Sequence, residues 1–318
     1  MDMFDEVLAG ERLALARLLT LVENDTPKGR AALDYLYPHT GKAHLVGVTG
    51  SPGTGKSSLV NQLAKAFRSS GVEKVAVIAV DPSSPFTGGA LLGDRVRMRD
   101  LSGDPGVFVR SMASRGALGG VSRTTVSMAQ VMDAAGFKII LIETVGAGQS
   151  EVDIARLAHT VVVVEAPGLG DDIQAIKAGI LEIADILVVN KCDLPGAERT
   201  ARTLKSMLEM AHPTRPGQVT ENAFWPIPVL QVCSTGCQGV EEVTGAICAH
   251  RDFLKSSGEW QRREHERMQN NLDALLRDML VQRFHERLGK GEYQEMVDRL
   301  TEREISPFQA IEALLNET

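Results

Sequence analysis

The residues with the plainest chemistry in this chain are Gly50-Ser51-Pro52-Gly53-Thr54-Gly55-Lys56-Ser57, followed by Ser58. Their spacing is G-x-x-x-x-G-K-[ST], that of a loop able to hold the phosphates of a nucleoside triphosphate. Glycines let successive backbone N–H groups point inward at phosphate oxygens, and a helix N-terminus behind them adds positive potential. Lys56 is expected to reach the β- and γ-phosphates, and the Ser57 hydroxyl to bind Mg2+. The flanks agree. His44-Leu45-Val46-Gly47-Val48-Thr49 is an apolar run suited to a buried parallel strand, and Leu59, Val60, Leu63, Ala64 and Phe67 follow at helical spacing.

A second group of residues could read a base. Asn190-Lys191-Cys192-Asp193 follows the β-branched run 185–189. A carboxylate there accepts from guanine N1–H and from the 2-amino group, whereas adenine turns a lone pair toward it. At roughly 1.5–3 kcal/mol for each hydrogen bond to a charged group, two such bonds separate the bases by about 10²–10⁴. Lys191 is expected to cover the base plane, and Asn190 to tie this loop to the phosphate loop. Cys233-Ser234-Thr235, after the run 228–232, is expected to offer a backbone N–H to guanine O6. The ligands are therefore expected to be GTP and GDP. Cys233 and Cys237 are spaced C-x3-C, but no paired His or Cys lies nearby, so a structural role is expected rather than a metal site.

Three carboxylates complete the set. Asp81 ends the run 74–80, Glu143 ends the run 138–142, and Asp94 lies in the glycine-rich stretch between them. With Ser57 they supply the hard oxygen donors that Mg2+ requires, directly or through water. Gly146 follows Glu143 at the spacing of a loop that bonds a γ-phosphate. Gly88 and Gly89, then Gly116, Gly119 and Gly120, then Gly168 and Gly170 mark further loops expected to report nucleotide state to a partner. Thr144 and Val145 occupy the positions around Gly146 where small signalling GTPases carry a water-orienting Gln. Hydrolysis is therefore expected to be slow until a partner completes the site.

These groups need a scaffold that brings distant loops to one edge. From His44 to about residue 255, the runs 44–49, 74–80, 106–110, 138–142, 160–165, 185–189 and 228–232 alternate with helical patterns. Such alternation predicts an α/β fold with a mostly parallel sheet, helices on both faces, and ligand loops at the strands' carboxyl ends. The expected divisions are an N-terminal helical segment (1–42), a nucleotide-binding domain (43–255) and a C-terminal helical extension (256–318). Thr26-Pro27 and Ser306-Pro307 read as helix starts, and Gly289 to Gly291 as a helix end. Met268, Leu272, Leu275, Leu276, Met279 and Leu280 recur at helical steps, a stripe fit for an intrachain cap or for a second copy.

Composition narrows the classes. A net charge of −7 and 4% aromatic residues among 318 argue against nucleic-acid binding. No apolar run approaches the roughly 20 residues of a membrane span. The acidic start carries no targeting pattern, and four cysteines do not suggest a disulfide framework. A soluble, cytoplasmic protein is expected.

Three longer stretches carry a resemblance: Asp81-Pro-Ser-Ser-Pro-Phe-Thr-Gly-Gly-Ala-Leu-Leu-Gly-Asp94-Arg, Arg110-Ser-Met-Ala-Ser-Arg-Gly-Ala-Leu-Gly-Gly-Val-Ser-Arg123 and Glu143-Thr-Val-Gly-Ala-Gly-Gln149-Ser-Glu151. Together with the phosphate loop they resemble the MeaB/ArgK-type G proteins, a family of P-loop GTPases, over nearly the whole chain. These are metallochaperone GTPases that attend adenosylcobalamin-dependent acyl-CoA mutases, above all methylmalonyl-CoA mutase. The resemblance implies GTP hydrolysis that gates cofactor loading onto the mutase and protects or reactivates it. It implies a homodimer joined through C-terminal helices, and a cobalamin adenosyltransferase as a further partner. Lys56 and Ser57 would hold phosphate and Mg2+, while Asp81, Asp94 and Glu143 would serve the metal and hydrolysis. Gly88, Gly89, Gln149 and Lys177 would belong to switch segments. The chain lacks D-x-H-x-x-G, the pattern that gives cobalamin its lower axial His, so the cofactor is expected on the partner. The competing classes are a nickel- or zinc-insertion GTPase, which usually carries His-rich tails, and a small-molecule kinase, which would discriminate bases weakly.

Overall fold

The computed structural model describes residues 2–81, 99–101, 103–113, 123–144, 150–168, 178–211, 224–289 and 291–316. Three helices come first, α1 (Met3–Leu8), α2 (Arg12–Glu23) and α3 (Pro27–Leu36). The apolar period of residues 1–23 is thus shared by two helices that meet at a turn around Gly10. Thr26 caps α3 as expected, its hydroxyl accepting from the Gly29 N–H at 3.0 Å with Pro27 at the first helical position. Among the described residues seven strands follow, β1 (His44–Thr49), β2 (Val75–Asp81), β3 (Val107–Ala113), β4 (Ile139–Thr144), β5 (Thr160–Glu165), β6 (Ile186–Asn190) and β7 (Val229–Val232). Each predicted run is a strand, with ends shifted by one residue in several cases, β3 extended to Ala113 and β4 to Thr144. All neighbours pair parallel in the order β3-β2-β4-β1-β5-β6-β7.

Alternation along each strand fills two cores. Ile140, Ile142, Val161 and Val163 face one layer, which also takes Leu15, Leu18 and Leu19 of α2. Ile139, Leu141, Val162 and Val164 face the other, with Leu59, Leu63 and Phe67 of α4 (Lys56–Ser69) and Val243 and Ile247 of α9 (Val240–Ser257). Between α4 and α9 in the chain come α5 (Arg123–Ala134), α6 (Ser150–Leu157), α7 (Ala178–Ile183) and α8 (Ala197–Ala211). With both faces buried, the inner strands are nearly all apolar. Arg12 of α2 donates to the carbonyls of Val107 (2.6 Å) and Pro105 (3.3 Å) at the start of β3, one edge strand of the sheet.

The amino-terminal edge of the sheet carries a closed polar network. His250 Nε2 lies 3.3 Å from Asp185 Oδ1, so it donates there, and its Nδ1 accepts from the Thr160 hydroxyl at 2.8 Å. Thr160 in turn accepts from His44 Nε2 at 2.7 Å. That pattern leaves His44 Nδ1 as a buried lone pair rather than a stranded N–H. His159 accepts the Leu45 N–H on Nδ1 and donates from Nε2 to Glu264. Arg263, on α10 (Glu259–Arg287), grips Asp185 with two nitrogens at 2.8 and 2.9 Å. Both tryptophans sit here: Trp260 stacks on His159 at 4.0 Å and Trp225 donates to the Asp185 carbonyl. Burial, and then the neighbouring His159, hold His44 well below the ordinary imidazole value. Burial works against the Glu264 carboxylate, yet hydrogen bonds from His159 and Arg267 and the Arg267 charge bring it down to about 2.

Contacts divide the chain into a unit of residues 1–267 and a smaller one of residues 268–318. In the second, Met296 of α11 (Glu292–Thr301) and Ala310 and Leu314 of α12 (Pro307–Asn316) form a small core with Phe284 and Leu288. Leu272, Leu276, Met279, Leu280 and Val281 of α10 remain 43–64% exposed. No helix among the described residues is long and apolar enough to cross a membrane.

Candidate functional site

The phosphate loop joins the central strand β1 to α4, so it opens at the carboxyl edge of the sheet. Two of its glycines are required by space as well as by backbone angle. Gly50 has φ +133°, and a Cβ there would lie 2.1 Å from the Val164 carbonyl oxygen of β5. Gly55, with φ +89°, would place a Cβ 2.5 Å from Asn190 Nδ2. Inside this loop Lys56 is buried, and its Nζ donates to the carbonyls of Gly50 (2.8 Å) and Ser51 (2.9 Å). The Thr54 hydroxyl closes the turn by donating to the Ser51 carbonyl at 2.9 Å.

Ser57 lies in the first turn of α4, and its hydroxyl donates to Glu143 Oε1 at 2.5 Å. Glu143 is the penultimate residue of β4, beside Val48 of β1, and is buried. Thr144 donates to the Thr49 hydroxyl at 2.9 Å, pinning the ends of these strands together. Asp81 is the last residue of β2, at the same edge. A hydroxyl and a buried carboxylate converging below the phosphate loop are hard oxygen donors, the kind that Mg2+ takes. The residues present therefore fit that ion.

Across β5 lies the second loop. Asn190, the last residue of β6, is the joint: its Nδ2 donates to the carbonyls of Thr54 (2.8 Å) and Gly55 (3.3 Å). Its Oδ1 accepts from the Ser234 hydroxyl (2.8 Å) and backbone N–H (3.2 Å). One buried amide thus fastens the phosphate loop to both base-side loops. Lys191, at φ +57°, turns its Nζ onto the Gly53 carbonyl at 2.7 Å. Gly55, Ser58, Lys191, Asp193, Leu194 and Thr235 line one cleft of about 220 Å³, open to solvent. Of the triplet after β7, Ser234 and Thr235 both line this cleft. The Cys233 N–H is taken by the Gln238 carbonyl and the Ser234 N–H by Asn190, whereas among the described residues nothing accepts from the Thr235 N–H.

The predicted phosphate, metal and base residues thus converge: Gly50 to Ser58 and Glu143 with Asn190, Lys191, Asp193 and Thr235. Gly88, Gly89, Asp94, Gly146, Gln149 and Lys177, as well as the side chain of Asp81, lie outside the described residues. Sequence reasoning gave Cys233 a main-chain contact to the base and otherwise a structural role; its sulfur lies 3.3 Å from both Asp193 Oδ1 and Thr235 Oγ1. The signal that could have found it is the parallel register, which sets Asn190 beside Val232 and so brings the two loops together.

Comparison with known proteins gives one result. Residues 15–288 match the family model described as methylmalonyl-CoA mutase-associated GTPase MeaB. A Pyrococcus abyssi protein named as a GTPase is 43% identical over 316 residues, covering 99% of this chain and 96% of its own. The mitochondrial methylmalonic aciduria type A homolog of Caenorhabditis elegans is 32% identical over 296 residues, covering 89% of this chain and 73% of its own. Among solved structures, that of a LAO/AO transport system kinase superposes with a TM-score of 0.71 at 26% identity, covering 99% and 96% of the two chains.

Proposed function

The chain belongs to the MeaB family of GTPases, and from that premise we propose that it is a chaperone of an adenosylcobalamin-dependent acyl-CoA mutase. In this reading it gates cofactor loading onto methylmalonyl-CoA mutase or a close relative, and protects or reactivates that enzyme. The observation that carries the mechanism is the double fastening by Asn190. Because one side chain holds the phosphate loop and both base-side loops, a change at the phosphates is felt at the base.

Lys56 would leave the Gly50 and Ser51 carbonyls for the β- and γ-phosphates, and Asp193 would take guanine N1–H and the 2-amino group. The Thr235 N–H would donate to O6. Ser57 and Glu143, with Asp81 and Asp94, would hold Mg2+, which when bound offsets charge on the phosphate oxygens. We further propose a homodimer. Leu272, Leu276 and Leu280 stand one turn apart on α10 and are 53–64% exposed, a stripe that a second copy would bury. A cytoplasmic location is supported by the four cysteines, all free.

The test is a GTPase assay with each candidate mutase, paired with transfer of adenosylcobalamin into the apo-mutase under GTP, GDP or a non-hydrolysable analogue. The cognate mutase is expected to raise the turnover at least about tenfold, a floor below the roughly 10³–10⁵ of sites completed in trans. Transfer is expected to depend on which nucleotide is present. A rate unmoved by every mutase, with transfer indifferent to nucleotide, sinks the proposal.

A further inference from the structure

We propose that the buried hydroxyls of Thr49 and Thr144 form a latch that fixes Glu143 against the phosphate loop, making both threonines positioning residues for metal binding; this rests on the reading of Ser57 and Glu143 as the Mg2+ site given above. The bond sits where the sheet divides. The register of β1 with β4 ends where Val48 lies beside Glu143. One residue further, among the described residues, Thr49 pairs only with β5, beside Val163, and Thr144 only with β2, beside Val80. The two strands part here because β1 leads to α4 on one face and β4 to α6 on the other. Across the split the Thr144 hydroxyl donates to that of Thr49 at 2.9 Å, and the two residues are 1% and 0% exposed.

Alternation along β4 puts its two cross-links on opposite faces. Glu143 shares its face with Ile139 and Leu141, the side of α4, and there accepts from Ser57 at 2.5 Å. Thr144 shares its face with Ile140 and Ile142, the side of α6. Glu143 is thus tied in front by its own carboxylate and behind by the next residue. Its reach toward an ion at Ser57 depends on how the end of β4 stands against Thr49, which leads directly into Gly50. With the latch closed, that end cannot rock about the last backbone pair, so the carboxylate meets the ion with its angle already set. With the latch removed, the phosphate loop still keeps its shape, since Thr54, Lys56 and Asn190 hold it by separate bonds. The loss therefore falls on what Mg2+ adds to nucleotide binding, not on nucleotide binding itself.

Calorimetry of the full chain with GDP, in Mg2+ and in EDTA, tests this; the ratio of the two affinities is the gain due to the metal. Thr144→Val keeps the shape and removes the donor. It should cut the gain about two- to tenfold, the range for one hydrogen bond, and move affinity in EDTA by less than about twofold. Thr144→Ser, which keeps the donor, should restore the gain. Thr49→Val combined with Thr144→Val leaves no buried hydroxyl stranded, so its melting point should return close to that of the parent chain while the gain stays low. A double variant that recovers the gain along with stability, a gain that Thr144→Val leaves intact or serine does not restore, or affinities that fall equally in Mg2+ and EDTA overturns the latch and leaves the pair as packing. Glu143→Gln separates the two failures, since it should cut the gain by more than about tenfold, beyond the range of one neutral hydrogen bond. If it does so while Thr144→Val keeps the gain, only the latch is wrong. A parent chain without any gain, or a Glu143→Gln variant that keeps it, overturns the metal reading and the latch together.

Discussion

The two edges of the sheet put polar groups to opposite uses. At the carboxyl edge, charged and amide side chains bond mostly to loop carbonyls: Lys56 to Gly50 and Ser51, Lys191 to Gly53, Asn190 to Thr54 and Gly55. At the amino edge, side chains bond to one another, from His44 through Thr160, His250 and Asp185 to Arg263. The Lys56 bonds can be traded for a phosphate without stranding an ion, because a carbonyl tolerates the loss, while Asn190 stays as the joint. The amino-edge bonds cannot be opened without leaving a buried charge. One sheet thus offers an exchangeable edge and a fixed one, and the fixed one anchors the first turns of α10.

If that contrast holds, damage at the carboxyl edge should cost activity and spare stability, and damage at the amino edge the reverse. The largest effect is expected from Lys56→Ala, which should lower kcat/KM for GTP by about 10³-fold, or ~4 kcal/mol, with thermal unfolding nearly unchanged. A melting point that fell along with the rate would erase the distinction. Next comes Asp185→Ala, which strips Arg263 and His250 of their acceptor. It should cost about 3 kcal/mol in denaturant unfolding, toward the low end for a broken buried pair because Arg263 can turn toward water. GDP affinity of the folded variant should stay within about twofold, a difference too small to signal a lost hydrogen bond. A strong loss of affinity would show that the edges communicate.

The smallest effect sharpens the contrast by pH. His44 and His159 are both held neutral chiefly by burial, below their ordinary 6.5. The unfolded chain therefore takes up protons first, and stability, full above pH 6.5, should decline as the pH falls below it. Glu264 adds a second step. Its contribution is complete above its ordinary 4.5 and is lost as the pH falls toward about 2. That step should amount to about 1–2 kcal/mol after allowing for partial exposure, and Glu264→Gln should remove it. Identical acid unfolding of variant and parent chain would assign the decline elsewhere.

The same contrast explains what could be read from sequence. The phosphate loop and Asn190-Lys191-Cys192-Asp193 are local patterns, because several backbone groups must face one ligand within a few residues. The strands were legible because burial on both faces makes them continuous apolar runs. The amino-edge network was not. His44 and Arg263 lie 219 positions apart in a chain of 318, and each member looks like an ordinary polar residue at the mouth of a strand or on a helix. Cys233 stayed hidden for a related reason: its partner Asp193 is 40 residues away and is reached only through the pairing of β6 with β7.

Arg12 has a consequence outside catalysis. A terminal strand of a parallel sheet is an open template on which another chain can add itself and begin a fibre. By occupying the Pro105 and Val107 oxygens, the guanidinium blocks that template at its first rungs, so the opening helices also protect the molecule against self-polymerisation.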